Sequence, residues 1–141
     1  MDLKDIKKNY LDKNGGMWLA LNEETDEVIG TVAIIEIEKN IGVLKRFYVK
    51  KEYCSKQIGF KLYKLAEQYA LNNHFLNIYL ICGRELTKAH KFYKRNGWEK
   101  ANNEVEKIDI FIRNNADLYK KKLIPENFVI FRKNNHKDQI S

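Results

Sequence analysis

Between residues 41 and 82 the hydrophobic pattern changes period twice. In "IGVLKRFYV" (41–49), Val43, Lys45, Phe47 and Val49 alternate with Leu44, Arg46 and Tyr48, the two-residue period of a strand. From residue 58 the spacing lengthens: Ile58, Leu62, Leu65, Ala66 and Tyr69 recur at helical intervals, while Lys61, Lys64, Glu67 and Gln68 take the remaining faces. "FLNIYLIC" (75–82) is then an apolar run between polar residues and reads as a buried strand. A strand, a helix and a strand in this order require a right-handed crossover, which sets the two strands parallel.

The flanking segments extend this unit. "MWLAL" (17–21) and "VIGTVAIIEIE" (28–38) read as strands around the polar turn "NEETDE". In the second, Thr31, Ala33, Ile35 and Ile37 alternate with Val32, Ile34, Glu36 and Glu38. Leu3, Ile6 and Tyr10, three and four apart, suggest a short helix ending near "NGG" (14–16). "LTKAHKFYKRNGW" (86–98) reads as a second helix in which Ala89, Phe92 and Tyr93 share a face. Lys94 and Arg95 suit its C-terminal dipole, and Gly97 suits the position just past its end. "EKIDIFI", "ADLYKKKL" and "NFVIFRK" each read as a strand, with no signal for which two pair. The expected class is α/β (α+β): a single mixed, mostly antiparallel sheet flanked by helices, in one domain spanning residues 1–141.

The chain has 141 residues with one proline and seven glycines, which argues against a disordered or linker-rich protein. No apolar run is long enough for a membrane span, and "MDLKDIKKNY" lacks the apolar core of a signal peptide. Cys54 and Cys82 make a poor disulfide framework, and no CxxC or histidine spacing suggests a metal site. A reducing cytoplasm is therefore expected. Residues 1–40 hold five lysines against nine acids, whereas residues 41–141 hold twenty-one cations against ten acids. That basic part fits a phosphorylated cofactor, a nucleic acid, an acidic protein or simply a lysine-rich solvated surface. No recognition-helix or aromatic RNA-binding signature accompanies it, so specific nucleic-acid binding is not expected.

Six residues of weak structural preference link the first strand of the central unit to its helix, within "VKKEYCSKQIGFKLY" (49–63). A turn over Ser55, Lys56, Gln57, Ile58, Gly59 and Phe60 would gather backbone N–H groups at the positive end of the helix dipole, a setting suited to a pyrophosphate. Gly59 has no Cβ, so backbone can approach an anion closely there. "LKRFYVKKEYCSKQIGFKLY" together with "AHKFYKRNGW" resembles the GNAT superfamily of acetyl-CoA-dependent N-acyltransferases, with family order and spacing from about Met17 to Trp98.

The resemblance implies acetyl-CoA (or CoA) as cosubstrate, no metal, and a small-molecule or peptide amine as acceptor. It implies that Phe47, Tyr48 and Val49 offer main-chain groups to the pantetheine arm, in a gap where "LKRFYV" and "NIYLI" splay apart. Lys56, Lys61 and Lys64 are candidates for the phosphates. Tyr93 is the implied general acid, protonating the departing thiolate while Phe92 packs. The family's phosphate pattern, Arg/Gln-x-x-Gly-x-Gly/Ala, falls on Cys54 to Gly59 and matches only at Gly59. Gln57 stands where the first glycine is usual and would be strained at a positive φ.

Other departures follow. The strand position where some relatives carry a glutamate base is Val43, leaving Glu36 and Glu38 as acidic candidates on the neighbouring strand. An asparagine seven residues before the tyrosine is Leu86 here. His90 reads as a helix-surface residue, and Cys54 as a thiol at a helix start. Only sixteen residues precede Met17, where the family has a strand and two helices. That shortened N-terminal part fits a compact variant, a truncated chain, or a homodimer in which another subunit completes the domain. Two functions follow: an N-acetyltransferase acting by direct attack in a ternary complex, or a non-catalytic module that binds CoA or dimerises.

Overall fold

The computed structural model describes residues 2–6, 14–101 and 128–135, with backbone alone for 2–6 and Ser55. Its strands are β1 (Asp2–Ile6), β2 (Gly15–Leu21), β3 (Val28–Glu38), β4 (Ile41–Val49), β5 (Asn77–Gly83), β6 (Glu99–Lys100) and β7 (Phe128–Asn134). A 3-10 helix (Lys51–Lys56) and helix α1 (Ile58–Asn72) lie between β4 and β5, and α2 (Thr87–Arg95) follows β5. The described strands form one mixed sheet in the order β1-β2-β3-β4-β5-β7-β6. Every neighbouring pair is antiparallel except β4–β5, which is parallel as the crossover through α1 requires.

The expected strands 17–21, 28–38 and 41–49, the two helices and the strand at 75–82 are all present. "NFVIFRK" is β7, while "EKIDIFI", "ADLYKKKL" and Tyr10 lie outside the described residues. The helix expected from Leu3 and Ile6 is instead strand β1, paired with β2 from Asp2↔Leu21 to Ile6↔Met17. Five residues carry too little periodicity to resist the offer of an open strand edge, so tertiary pairing decides the conformation.

The core has two faces. One side of the sheet, under α1 and α2, packs Val32, Ile34, Leu44, Ile58, Leu62 and Phe131 among others. The other holds Ala33, Ile35, Val43, Tyr79 and Ile130. Strand β3 keeps the expected alternation, but β4 does not: Val43 belongs to the second face, whereas Leu44, Phe47 and Val49 belong to the first. A bulge explains the change of parity. Thr31 pairs with Tyr48 and Ala33 with Lys45, so Arg46 and Phe47 both oppose Val32, and Arg46 adopts φ +53°.

Helix α1 also departs from its pattern. Glu67, expected on an outer face, is buried at 9% exposure, and Tyr63 beside it is buried too. The Tyr63 hydroxyl donates to Glu67 Oε2 (2.6 Å) and accepts from Trp98 Nε1 (2.9 Å). Lys133 of β7 donates to Glu67 Oε2 at 2.6 Å and Lys64 to Oε1 at 2.7 Å. Burial would push the Glu67 carboxyl up, but the hydrogen bonds from Lys133, Lys64 and Tyr63 outweigh it and hold the group below the usual carboxylate range.

Replacing Glu67 with alanine strands the Lys133 ammonium, whose side chain is only 12% exposed. Glu67→Ala should therefore lower the unfolding free energy by about 3–5 kcal/mol in urea titration. The depressed carboxyl contributes stability that is present above its unfolded value of about 4.3 and is lost as pH falls through the folded value. Glu67→Gln should flatten that acid limb of the stability profile.

Candidate active site

The parallel ladder between β4 and β5 covers only Ile41↔Asn77, Gly42↔Ile78 and Val43↔Tyr79. Beyond it the strands part, and β4 runs on to Val49 while β5 runs on to Gly83. A cleft of about 200 Å³ opens at the far end of β4, lined by Phe47, Tyr48, Val49, Gly59, Phe92 and Tyr93. Ala89 and Cys54 complete its rim. Thus the two separate motifs, the β4–α1 junction and the α2 aromatics, meet in one place.

The junction itself takes the conformation that its missing glycine would have favoured. Lys51–Lys56 form the 3-10 helix, and Gln57 caps both it and α1 in the left-handed region (φ 59°, ψ 17°). The Gln57 side chain does not cap α1, and the first turn of the helix holds no acid. The N–H groups of that turn and the dipole's positive end make a setting that suits an anion. Gly59 lies inside the helix. A Cβ there would meet nothing closer than Val49 Cγ2 at 3.5 Å, an ordinary contact. Packing does not demand this glycine, and an added methyl would instead stand in the cleft. Ile58, by contrast, is buried in the core, and Phe60 is exposed outside the cleft.

Tyr93 is 8% exposed and packs against Phe131 (5.5 Å between centroids), Trp98 (5.8 Å) and Phe47 (6.4 Å). Burial, and then repulsion from Cys82 where that thiol ionises, pushes its phenol well above the ordinary tyrosine range. It therefore stays protonated at neutral pH, and its hydroxyl makes no hydrogen bond to a described residue. Cys82 itself is buried on β5 and pushed up to about 11 by burial and by Glu85. Tyr63 supports the cleft from behind, stacked on Phe47 at 6.4 Å and edge-on to Phe92 at 5.3 Å.

Several candidates sit elsewhere. Glu36 pairs with Gly42 and accepts from the Asn40 N–H (3.0 Å), while Glu38 pairs with Ile41; both lie at the opposite end of β4 from Tyr93. Lys56 places its ammonium over the Tyr53 ring and lines a different hollow of about 400 Å³, beside Asn22 and Ile29. That hollow is larger than the cleft but contains neither Tyr93 nor Gly59. Lys64 is engaged by Glu67. Leu86, at the start of α2, is 51% exposed and makes no cap. His90 is not a plain surface residue: its Nε2 donates to the Gly83 carbonyl (2.9 Å) and its ring packs on Phe131, tying α2 to the end of β5. The Cys54 thiol donates to the Val49 and Lys50 carbonyls at 3.6 and 3.5 Å. Among the described residues no cluster of three metal-ligating side chains occurs, and no helix is long and apolar enough to cross a membrane.

Residues 2–98, over half of the chain, match the acetyltransferase (GNAT) family. The chain belongs to that family. N-acetyltransferase family 8 member 2 of Rattus norvegicus is 27% identical over 104 residues, which is 70% of this chain and 45% of that protein. The GNAT chain thus spans under half the length of this relative. A GNAT-family acetyltransferase from Staphylococcus aureus Mu50 superposes with a TM-score of 0.67 at 24% identity, over 91% of this chain and 72% of that one. PaiA N-acetyltransferase from Thermoplasma acidophilum, solved in complex with coenzyme A, superposes at 0.62 with 22% identity, over 91% and 64%. The mixed sheet with two described helices is the GNAT fold.

The strained cap offers a direct test. Gln57→Gly removes a left-handed cost of roughly 1–2 kcal/mol against roughly 0.4–1 kcal/mol of added chain entropy. Its melting temperature should equal or exceed that of the wild type. Gln57→Val, β-branched at positive φ, should melt lower.

Proposed function

We propose that this chain transfers the acetyl group of acetyl-CoA to a primary amine by direct attack in a ternary complex. The observation that carries the reading is the junction of three features in one cleft: parted parallel strands, a helix start that the Gln57 side chain does not cap, and a protonated buried tyrosine. Family membership and the N-acetyltransferase name of the rat relative support the same chemistry. Acetyl-CoA, when bound, supplies a thioester whose carbonyl carbon is open to a nucleophile.

The start of α1 receives the pyrophosphate on backbone N–H groups, with Gly59 leaving room for it. The unpaired edge of β4 at Phe47, Tyr48 and Val49 receives the amide-bearing arm as an added strand would be received. Tyr93 is the general acid. As the nitrogen–carbon bond forms and the carbon–sulfur bond breaks, its phenol delivers a proton to the leaving sulfur. The amine nitrogen loses a proton to water, and the phenol regains one from solvent. Glu36 and Glu38 lie at the opposite end of β4 from Tyr93, so water is assigned as the base in place of these two carboxylates. The products are an N-acetylated amine and a free thiol.

Acetyl-CoA at a hundred times its dissociation constant should add about 2.7 kcal/mol of stability, read as a rise of several degrees in the melt. Gly59→Ala should melt at or above the wild type without ligand, since it replaces a helical glycine where a Cβ fits, and should lose most of that rise. Tyr93→Phe should keep both the melt and the rise, because its hydroxyl makes no hydrogen bond to a described residue, while turnover drops about 10²–10⁴-fold. A flat melt at millimolar acetyl-CoA sinks the proposal. Binding with no thiol release across a broad amine panel would favour the non-catalytic CoA-binding module.

A further inference from the structure

Strand β4 carries one residue that an ordinary strand would not accommodate. Arg46 sits in the left-handed region at φ +53°, in the middle of a sheet, where a glycine bears no steric penalty and an arginine does. Thr31 Oγ1 donates to the Arg46 carbonyl at 2.5 Å and helps to hold the bulge from β3. Nothing comparable holds the side chain. Arg46 is exposed, and its guanidinium has no ion pair or hydrogen bond to a described residue. Lys50, farther along the same stretch of chain, is by contrast paired with Glu27.

Its place in the chain matters as much as its charge. The last β4–β5 pair is Val43↔Tyr79, and the cleft lining begins at Phe47. Arg46 therefore stands on the stretch of β4 where the seam between the strands has opened, one residue before the cleft. Its exposed neighbour along the strand is Tyr48, at 60%. The bulge accounts for the left-handed backbone, but a glycine would serve it without strain, so the arginine side chain is the part that the fold leaves unexplained.

We propose that Arg46 selects the acceptor by holding a carboxylate, so that the favoured substrates are primary amines that also carry a carboxylate group. The inference rests on the acetyl-transfer reading of the same cleft. An amine must come within about 3–3.5 Å of the carbonyl carbon to react. A carboxylate on the same molecule gives it a second anchor, because the guanidinium fork accepts a carboxylate in a planar, two-point contact that fixes orientation as well as position. A bare alkylammonium gains no such contact and meets a like charge instead.

The test pairs each amino acid with the amine that lacks its carboxylate, phenylalanine with phenethylamine being one such pair. Binding is measured to the full chain saturated with desulfo-CoA, and turnover with acetyl-CoA is read on the same pairs. The wild type should bind the carboxylated member about tenfold more tightly or better. Arg46→Gln and Arg46→Gly should abolish that difference without altering the thermal shift caused by acetyl-CoA. Arg46→Gly should also melt at or above the wild type, since it relieves the left-handed backbone, so a lost preference cannot be blamed on misfolding. A wild type indifferent to the carboxylate overturns the inference, as do variants that weaken both members equally. Selective binding without turnover would keep Arg46 in this role and remove the transfer reading; turnover without selectivity would do the reverse.

Discussion

Three residue pairs of parallel ladder join β4 to β5, and the rest of the molecule is arranged around the point where that ladder stops. At the joined end the strands are clamped: Phe75 packs so closely over Gly42 that a Cβ there would lie 2.5 Å from its ring. At the parted end, the bulge at Arg46 adds local twist and turns β4 away from its neighbour. The gap does not collapse, because an aromatic group of Phe47, Phe92, Tyr93, Trp98 and Phe131 fills the helix side of it. Short pairing, bulge and wedge are parts of one arrangement.

The wedge depends on a polar network deeper in the protein. Trp98 follows α2 and hydrogen-bonds Tyr63 of α1; Tyr63 bonds Glu67; Glu67 bonds Lys133 of β7. Thus the two helices and the far side of the sheet share one buried carboxylate. Each member of this chain is satisfied, which is the condition under which a buried charge adds definition rather than cost. Tyr93 differs because its hydroxyl makes no hydrogen bond to a described residue. That asymmetry separates the hydrogen-bonded residues behind the cleft from the tyrosine on its lining.

Much of this was readable from residue order, and the failures have physical causes. The period changes along 41–82 and the alternation in β3 reflect burial on two sides, which local spacing reports directly. The Gly59 and Tyr93 motifs could be found because they are short and contiguous. By contrast, the burial of Glu67 depends on Lys133, sixty-six residues away, and no helical wheel contains that information. The bulge was hidden because its left-handed residue is an arginine rather than a glycine, so the alternation of β4 looked regular through it. Strand β1 shows the same limit at small scale: a spacing of three between Leu3 and Ile6 fits a helix until an open edge stands beside it. Gln57 is the opposite case, since its strain was expected from the missing glycine and its φ of 59° bears that out.

A sheet parted along an internal seam has, in effect, four edges where an ordinary one has two. Edges of unpaired backbone are templates for any extended chain, and proteins commonly blunt them with charge, irregularity or cover. Here the seam is kept narrow by its own closed end, broken by the bulge, and screened on one side by α2. What remains is a short opening between the two strands, suited in shape to an extended molecule. An extended molecule lying in that slot would be, for as long as it stayed, the missing strand of the sheet.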